Sequence, residues 1–171
     1  MRKTRQERRG LLIVNTGNGK GKSTAAFGMV LRAWGRDMRT CVIQFIKSEK
    51  GQWGEIKAAK KLGLEWHITG DGFTWDSKDL DETAARAIHG WELAKEKIAS
   101  KMYDLIVLDE MTYAFQFGWL KIGEVMAWLA ENKPADLHLV ITGRDAPQEL
   151  IDAADLVTEM SPVRHPFDKG I

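Results

Sequence analysis

Four stretches of this chain are apolar almost without a break: LLIV at residues 11–14, TCVIQFI at 40–46, DLIVLD at 104–109 and LHLVIT at 137–142. A strand with one wet face alternates apolar and polar residues. A run that stays apolar must be covered on both faces, a condition met by parallel strands lying between two layers of helices. LEWHIT at 64–69 and ADLVTEM at 154–160 are weaker candidates that bring the number of strands to about six. Between them lie helical patterns. Leu80, Ala84, Ala87, Ile88, Trp91, Ala94 and Ile98 recur at spacings of three and four, making one stripe on a helix that Asp76 or Ser77 can cap. Ile122, Val125, Met126 and Leu129 repeat the pattern on a shorter helix ending near Asn132, ahead of Lys133 and Pro134. Strand and helix thus alternate from end to end, which predicts an α/β fold with an open, mostly parallel sheet flanked by helices.

With 171 residues the chain has the size of one domain, able to bury roughly two thirds of its unfolded surface. No repeat, low-complexity tract or linker divides it, so residues 1–171 are read as a single domain behind a flexible basic leader at 1–9. A formal net charge of +1 argues against a chain that binds nucleic acid through overall charge. Cys41 is the only cysteine, which excludes an intrachain disulfide and a zinc cluster built on cysteines and fits a reducing cytoplasm. The leader lacks the apolar segment of a secretory signal, and no apolar run is long enough to span a membrane. A cytoplasmic protein with no membrane partner is the expectation.

The first apolar run leads directly into TGNGKGKST at 16–24 and then an alanine-bearing helical stretch. A phosphate loop needs a glycine, four variable residues and then Gly-Lys-Ser/Thr between a strand and a helix. Gly21, Lys22 and Ser23 supply the second half, whereas Thr16 stands where the first glycine belongs. Gly17, Gly19 and Gly21 alternate with Asn18 and Lys20, giving the backbone freedom to turn its amides around an anion. A helix starting near Lys22 adds its positive end. Lys22 then neutralises phosphate oxygens, Ser23 is placed to ligate Mg²⁺, Lys20 adds charge at the rim, and Thr24 follows in the first turn. The same residues would suit a glycine-rich turn with solvated lysines; the strand before and helix after favour the phosphate loop.

DLIVLDE ends in Asp109 and Glu110, the acidic pair expected on the strand beside such a loop, where it orients Mg²⁺ and its waters. Acids also sit at strand ends because they are solvated there, but the two elements in this order point to Mg²⁺ and a nucleotide. Arg144 follows another strand end and either reaches phosphate or makes a surface salt bridge. The loops at 47–55 and 69–77 also follow strands, on the side where open α/β sheets bind ligands.

Beyond these motifs the chain resembles a known family. TGNGKGKSTAAFG (16–28), VIQFIK (42–47), GFTW (72–75), VLDEMTYA (107–114), VITGR (140–144) and PVRHPFDKG (162–170) occur in the order seen in ATP:corrinoid adenosyltransferases of the CobA/BtuR type. The resemblance runs from Arg9 onward, and Thr16 and the GFTW segment are habits of that family. It implies a RecA-like phosphate-loop fold in which cobalt(I) of a corrin ring attacks the 5′ carbon of ATP and expels triphosphate. The loop then holds the leaving group while the ribose faces the substrate. Thr16, Gly17, Asn18, Gly19, Lys20, Gly21, Lys22, Ser23, Thr24 and Arg144 become the expected ATP contacts, and Ser23, Asp109 and Glu110 the expected Mg²⁺ ligands. Lys22 and Glu110 are the expected catalytic residues. Phe73 and Trp75 are expected to crowd the lower face of the corrinoid. Without the resemblance those two aromatics read as ordinary packing. It further implies a homodimer that receives electrons from a flavoprotein such as flavodoxin.

EWHITG at 65–70 nearly spells a histidine signature of cobalamin-binding proteins, but an axial ligand would hinder cobalt reduction, and His67 reads as a packed histidine on a strand. His89 and His138 have no spaced metal partners, and His165 lies in the shared C-terminal segment. Enterobacterial members of the family carry a longer N-terminal segment that folds over the corrinoid, whereas ten residues precede the first apolar run here; the family's usual last residues lie beyond Ile171. The cover over the site is where the resemblance says least. Two other functions fit parts of the chain: a kinase or ATPase acting at the γ-phosphate, and a nucleotide-gated nucleic-acid binder using KAAKK (57–61) and exposed tryptophans such as Trp53. KAAKK reads better as the solvated face of a helix.

Overall fold

Each apolar run becomes a strand of one parallel sheet in the computed structural model, which describes residues 9–48, 53–70 and 80–164. The strands are β1 (Leu12–Thr16), β2 (Thr40–Ser48), β3 (Glu65–Gly70), β4 (Leu105–Asp109), β5 (His138–Thr142) and β6 (Leu156–Glu159). They lie in the order β3-β2-β4-β5-β1-β6, every neighbouring pair parallel. The helices are α1 (Lys22–Trp34), α2 (Gly54–Leu62), α3 (Leu80–Ala99), α4 (Thr112–Gln116), α5 (Ile122–Asn132) and α6 (Gln148–Ala153). This is the α/β, phosphate-loop-like architecture expected.

Two cores explain why the strands do not alternate. On one face Val14, Ile43, Leu108 and Ile141 pack with Trp91 and Ile98 of α3, Leu129 of α5 and Leu150 of α6. On the other face Ile13, Val42, Val107 and Val140 pack against Ala26, Val30 and Ala33 of α1. Successive residues of one strand therefore enter different cores, and both must be apolar. The outermost strand β6 is the exception: all four of its residues are exposed, as an edge strand permits.

Two expectations need correcting. Ile88 belongs to the predicted apolar stripe of α3 but is 45% exposed. The buried line runs through Thr83, Ala87, Trp91, Ala94 and Ile98, and Ile88 stands one residue, about 100° of helix rotation, off it. Gly90 shows how tightly this face packs, since a Cβ there would lie 2.6 Å from Thr69 Oγ1 of β3. Second, β4 is not the neighbour of β1. β5 lies between them, so the acidic pair is linked to the phosphate loop across the end of β5.

At the opposite, N-terminal end of the sheet, Glu65 ties β3 to the last turn of α3 and to the segment leading into β4. Its carboxylate accepts a bond from Tyr103 Oη at 2.6 Å, lies 2.8 Å from His67 Nε2 and pairs with Lys97 Nζ at 3.0 Å. His67 is thus half-buried and polar-partnered rather than simply packed. Partial burial alone would raise the Glu65 carboxyl; the bonds from Tyr103, His67 and Lys97 outweigh it and hold it down at about 2. A carboxyl depressed on folding stabilises the protein above its ordinary value of 4.5, and that contribution fades as pH falls toward about 2. Glu65→Gln is therefore expected to be less stable than the unsubstituted protein at neutral pH. The gap, followed by urea denaturation, should close across that acid window.

Candidate active site

The loop after β1 is shaped by glycines that no other residue could replace. Gly17 has φ of +90°, and a Cβ there would lie 2.5 Å from the Met160 carbonyl oxygen; Gly21 has φ of +111° at the N-cap of α1. Residue 160, just past β6, straps the loop: its amide donates to Thr16 O at 2.9 Å and its carbonyl accepts the Gly19 amide at 2.6 Å. Helix α1 has no side-chain cap and no acid in its first turn, so its leading amides and positive end are left to serve an anion.

Lys22 sits in the first turn of α1 and curls back across the loop, Nζ donating to Gly17 O and Gly19 O at 2.7 Å each. Burial lowers the affinity of this ammonium for its proton, and the positive charge of Arg144 lowers it further, against an opposing pull from Glu110. Two cations and a carboxylate therefore share one field, a pairing of positive charges that a polyphosphate would relieve. Ser23 is half-buried beside Lys22, while Asn18, Lys20 and Thr24 lie on the exposed rim. Thr16, in the place of the missing glycine, uses its hydroxyl to accept the Ala146 amide at 3.1 Å. It ties the phosphate loop to the turn that carries Arg144.

At the end of β4 the two acids differ. Asp109 is wholly buried, with Oδ1 accepting from Thr142 Oγ1 at 2.7 Å and Oδ2 accepting from Gln44 Nε2 at 2.9 Å. Gln44 is oriented in turn by Trp66, whose Nε1 donates to Oε1 at 2.8 Å. Glu110 is half-buried, has φ of +60°, and donates its amide to Thr142 Oγ1 at 2.9 Å. A left-handed glutamate is strained backbone, and here Thr142 holds it in place. Ser23 and Glu110 offer hard oxygen donors, a set that suits Mg²⁺, whereas both oxygens of Asp109, the third expected ligand, are already held by Thr142 and Gln44.

Arg144 and Asp145 follow β5, Asp145 with φ of +48°. The Arg144 carbonyl accepts bonds from Thr112 Oγ1 at 2.7 Å and Gln116 Nε2 at 2.6 Å, which fixes α4 beside the site. Tyr113, Phe117 and Trp119 form a ladder of near-parallel rings, with centroids 6.5 and 4.8 Å apart, and Phe117 is 47% exposed. A cleft of about 430 Å³ next to Asp145 is lined by Phe115, Leu120, Ile122 and Pro147. Tyr113, the first ring of the ladder, feels the charges of Glu110, Arg144 and Asp145, which places it beside the site.

The structure brings the loop from Thr16 to Thr24, Asp109, Glu110 and Arg144 together at the C-terminal ends of β1, β4 and β5. Phe73, Trp75, Asp76, Ser77 and His165 lie outside the described residues, as does the leader up to Arg8. The supporting residues Gln44, Trp66, Thr142 and Met160 are absent from the sequence-based site. Gln44 has a visible signal: one amide inside the apolar run TCVIQFI must find a buried partner.

The family model for the ATP:corrinoid adenosyltransferase BtuR/CobO/CobP matches residues 8–171. The chain belongs to this family. Among relatives, it is 42% identical to a corrinoid adenosyltransferase of Sinorhizobium over 98% of this chain and 79% of that one. It is 43% identical to one of Pseudomonas aeruginosa, covering 97% and 82%. To the corrinoid adenosyltransferase CobA of Salmonella typhimurium it is 40% identical, covering 97% and 84%. Membership makes the chain a transferase of the corrinoid adenosyltransferase family. The nucleic-acid reading gains nothing from the structure: Lys57, Lys60 and Lys61 form an exposed helix face, and Trp53 is half-buried rather than exposed.

Because Thr142 serves both acids, Thr142→Val should leave a buried Asp109 oxygen short of a donor. A loss of about 1–3 kcal/mol in urea denaturation is expected, with weakened Mg²⁺-dependent nucleotide binding by calorimetry.

Proposed function

We propose that this chain transfers the 5′-deoxyadenosyl group of ATP to the cobalt(I) of a corrinoid, cobalamin or cobyrinic acid a,c-diamide, and releases triphosphate. What carries this reading is the family match across residues 8–171, on a chain whose phosphate loop gathers Lys22, Arg144 and Glu110 in one field. The cobalt electron pair forms a bond to C5′ while the C5′–O bond breaks, and its electrons leave with the triphosphate. The leaving group needs its growing charge met by preorganised donors. The α1 amides, Lys22 and Arg144 supply them. Ser23 and Glu110 would hold Mg²⁺, which adds Lewis-acid stabilisation of the departing phosphate when bound. Asp109, with both oxygens engaged, acts on the ion by fixing Glu110 through Thr142.

A cobalt nucleophile needs no protein base, so a catalytic triad is not required. What it needs is access to cobalt(I). Losing an axial ligand raises the potential of cobalt(II), and Phe73 and Trp75 are the residues we assign to crowding that face. The aromatic ladder of Tyr113, Phe117 and Trp119 gives a large apolar substrate a neighbouring surface. We further place the protein in the cytoplasm as a homodimer reduced by a flavoprotein such as flavodoxin, with no nucleic-acid or membrane partner; among the described residues no helix is long and apolar enough to cross a membrane.

Anaerobic incubation with ATP, Mg²⁺ and cobalt(I) corrinoid should give the spectrum of a cobalt–carbon bond and triphosphate as the phosphate product. ADP or orthophosphate in its place would return the chain to γ-phosphate chemistry. Lys22→Ala should lower turnover about a hundredfold or more. Phe73→Ala and Trp75→Ala should slow the reaction from cobalt(II) more than from chemically prepared cobalt(I), and equal losses would contradict the axial-ligand account.

A further inference from the structure

At the end of the sheet remote from the phosphate loop, Cys41, Glu65 and His67 bring one sulfur, one oxygen and one nitrogen within 4.8 Å of one another. Two adjacent strands fix them: Cys41 pairs with Glu65 across β2 and β3, and His67, two residues on, points to the same face. From this placement we propose that Cys41, Glu65 and His67 bind a thiophilic divalent cation of the zinc class.

Geometry, charge and chemistry agree on that class. In a tetrahedral shell with bonds of zinc length, neighbouring donors lie roughly 3.3–3.8 Å apart, so closing this one asks about an ångström of movement. Thiolate and imidazole select zinc and its neighbours over Mg²⁺ or Ca²⁺. A cationic group already pairs with the carboxylate of this cluster. Lys97 Nζ lies 3.0 Å from Glu65 Oε1, the same oxygen that faces His67 at 2.8 Å, while Tyr103 holds Oε2. Metal entry releases the Cys41 proton to solvent and displaces the Lys97 ammonium, whose long stem lets it swing outward. The thiolate and carboxylate then neutralise the divalent charge. Tyr103 becomes the outer partner that orients the ligating carboxylate. The thiol is wholly buried and pushed up to about 12 by burial, first, and by Glu65; the metal must supply the energy of its deprotonation, and affinity should rise with pH. Water remains as the fourth ligand, reached from the side where His67 and Glu65 are about one third exposed.

Cobalt(II) titrated into the full chain, without corrinoid, tests this. Cys41 is the only cysteine, so any near-ultraviolet thiolate-to-cobalt charge-transfer band reports it alone. A saturable band is expected, abolished by equimolar zinc. His67→Ala should weaken binding at least about tenfold, whereas Lys97→Met, which removes the competing ammonium, should strengthen it severalfold. Zinc should raise the unfolding temperature of the unsubstituted protein and not that of His67→Ala. Absence of the band in folded protein at millimolar cobalt(II) overturns the proposal, and so does a band indifferent to His67→Ala.

Discussion

A buried carboxylate holds the phosphate-loop end of this sheet in register. Asp109 has no exposure to water and can remain there only because Thr142 and Gln44 each donate to one of its oxygens. Those donors come from β5 and β2, the strands on either side of β4, so three strand ends are cross-linked at one level. Thr142 gives its proton to Asp109 and accepts the Glu110 amide on its lone pair, and Glu110 stands there at positive φ. One hydroxyl thus couples the strained glutamate to the buried aspartate. Neutralising Asp109 would loosen the neighbour whose carboxylate shares a field with Lys22 and Arg144.

The phosphate loop depends on the same end of the sheet from the other side. Met160 makes two backbone bonds with it, and Thr16 bonds the Ala146 amide, so β6 and the turn after β5 both anchor the loop. Threonine in the place of glycine therefore provides a structural coupling that a glycine could not, linking Lys22 to the turn bearing Arg144. Lys22 meanwhile satisfies its ammonium on the Gly17 and Gly19 carbonyls. A polyphosphate bound there would have to outcompete those two bonds, and it would bring several charged oxygens against two carbonyl dipoles.

The sheet is legible in the sequence because burial on both faces leaves short unbroken apolar runs that alternate with helical patterns, and the loop because its glycines and lysine follow the phosphate-loop spacing. Strand adjacency is not: nothing in DLIVLDE says that LHLVIT will lie between it and the first strand. Ile88 misleads because seven apolar residues read as one stripe, whereas packing chooses the line through Ala87, Trp91, Ala94 and Ile98 and leaves Ile88 outside. Thr142 and Met160 act through tertiary bonds and carry no local signature. Gln44 does carry one, as a lone amide in an apolar strand, and Trp66 can be matched to it only once β2 and β3 are paired.

The cradle by itself does not choose which bond of ATP breaks. Amides, Lys22 and Arg144 would stabilise negative charge on a bound phosphate whether the γ-phosphoryl group transfers or the whole triphosphate departs from C5′. The choice rests with where the acceptor can stand and what it is. A phosphoryl acceptor is a hydroxyl or water that needs positioning near the γ-phosphate. A corrin cobalt needs a broad apolar surface on which a macrocycle can lie with its metal facing the ribose. On the reading proposed above, the ladder of Tyr113, Phe117 and Trp119, whose first ring feels the charges of Glu110 and Arg144, and the cleft next to Asp145 would offer surface of the second kind. On that reading the half of the site that selects the reaction is hydrophobic, while the half most visible in the sequence is polar and shared with every other use of the loop.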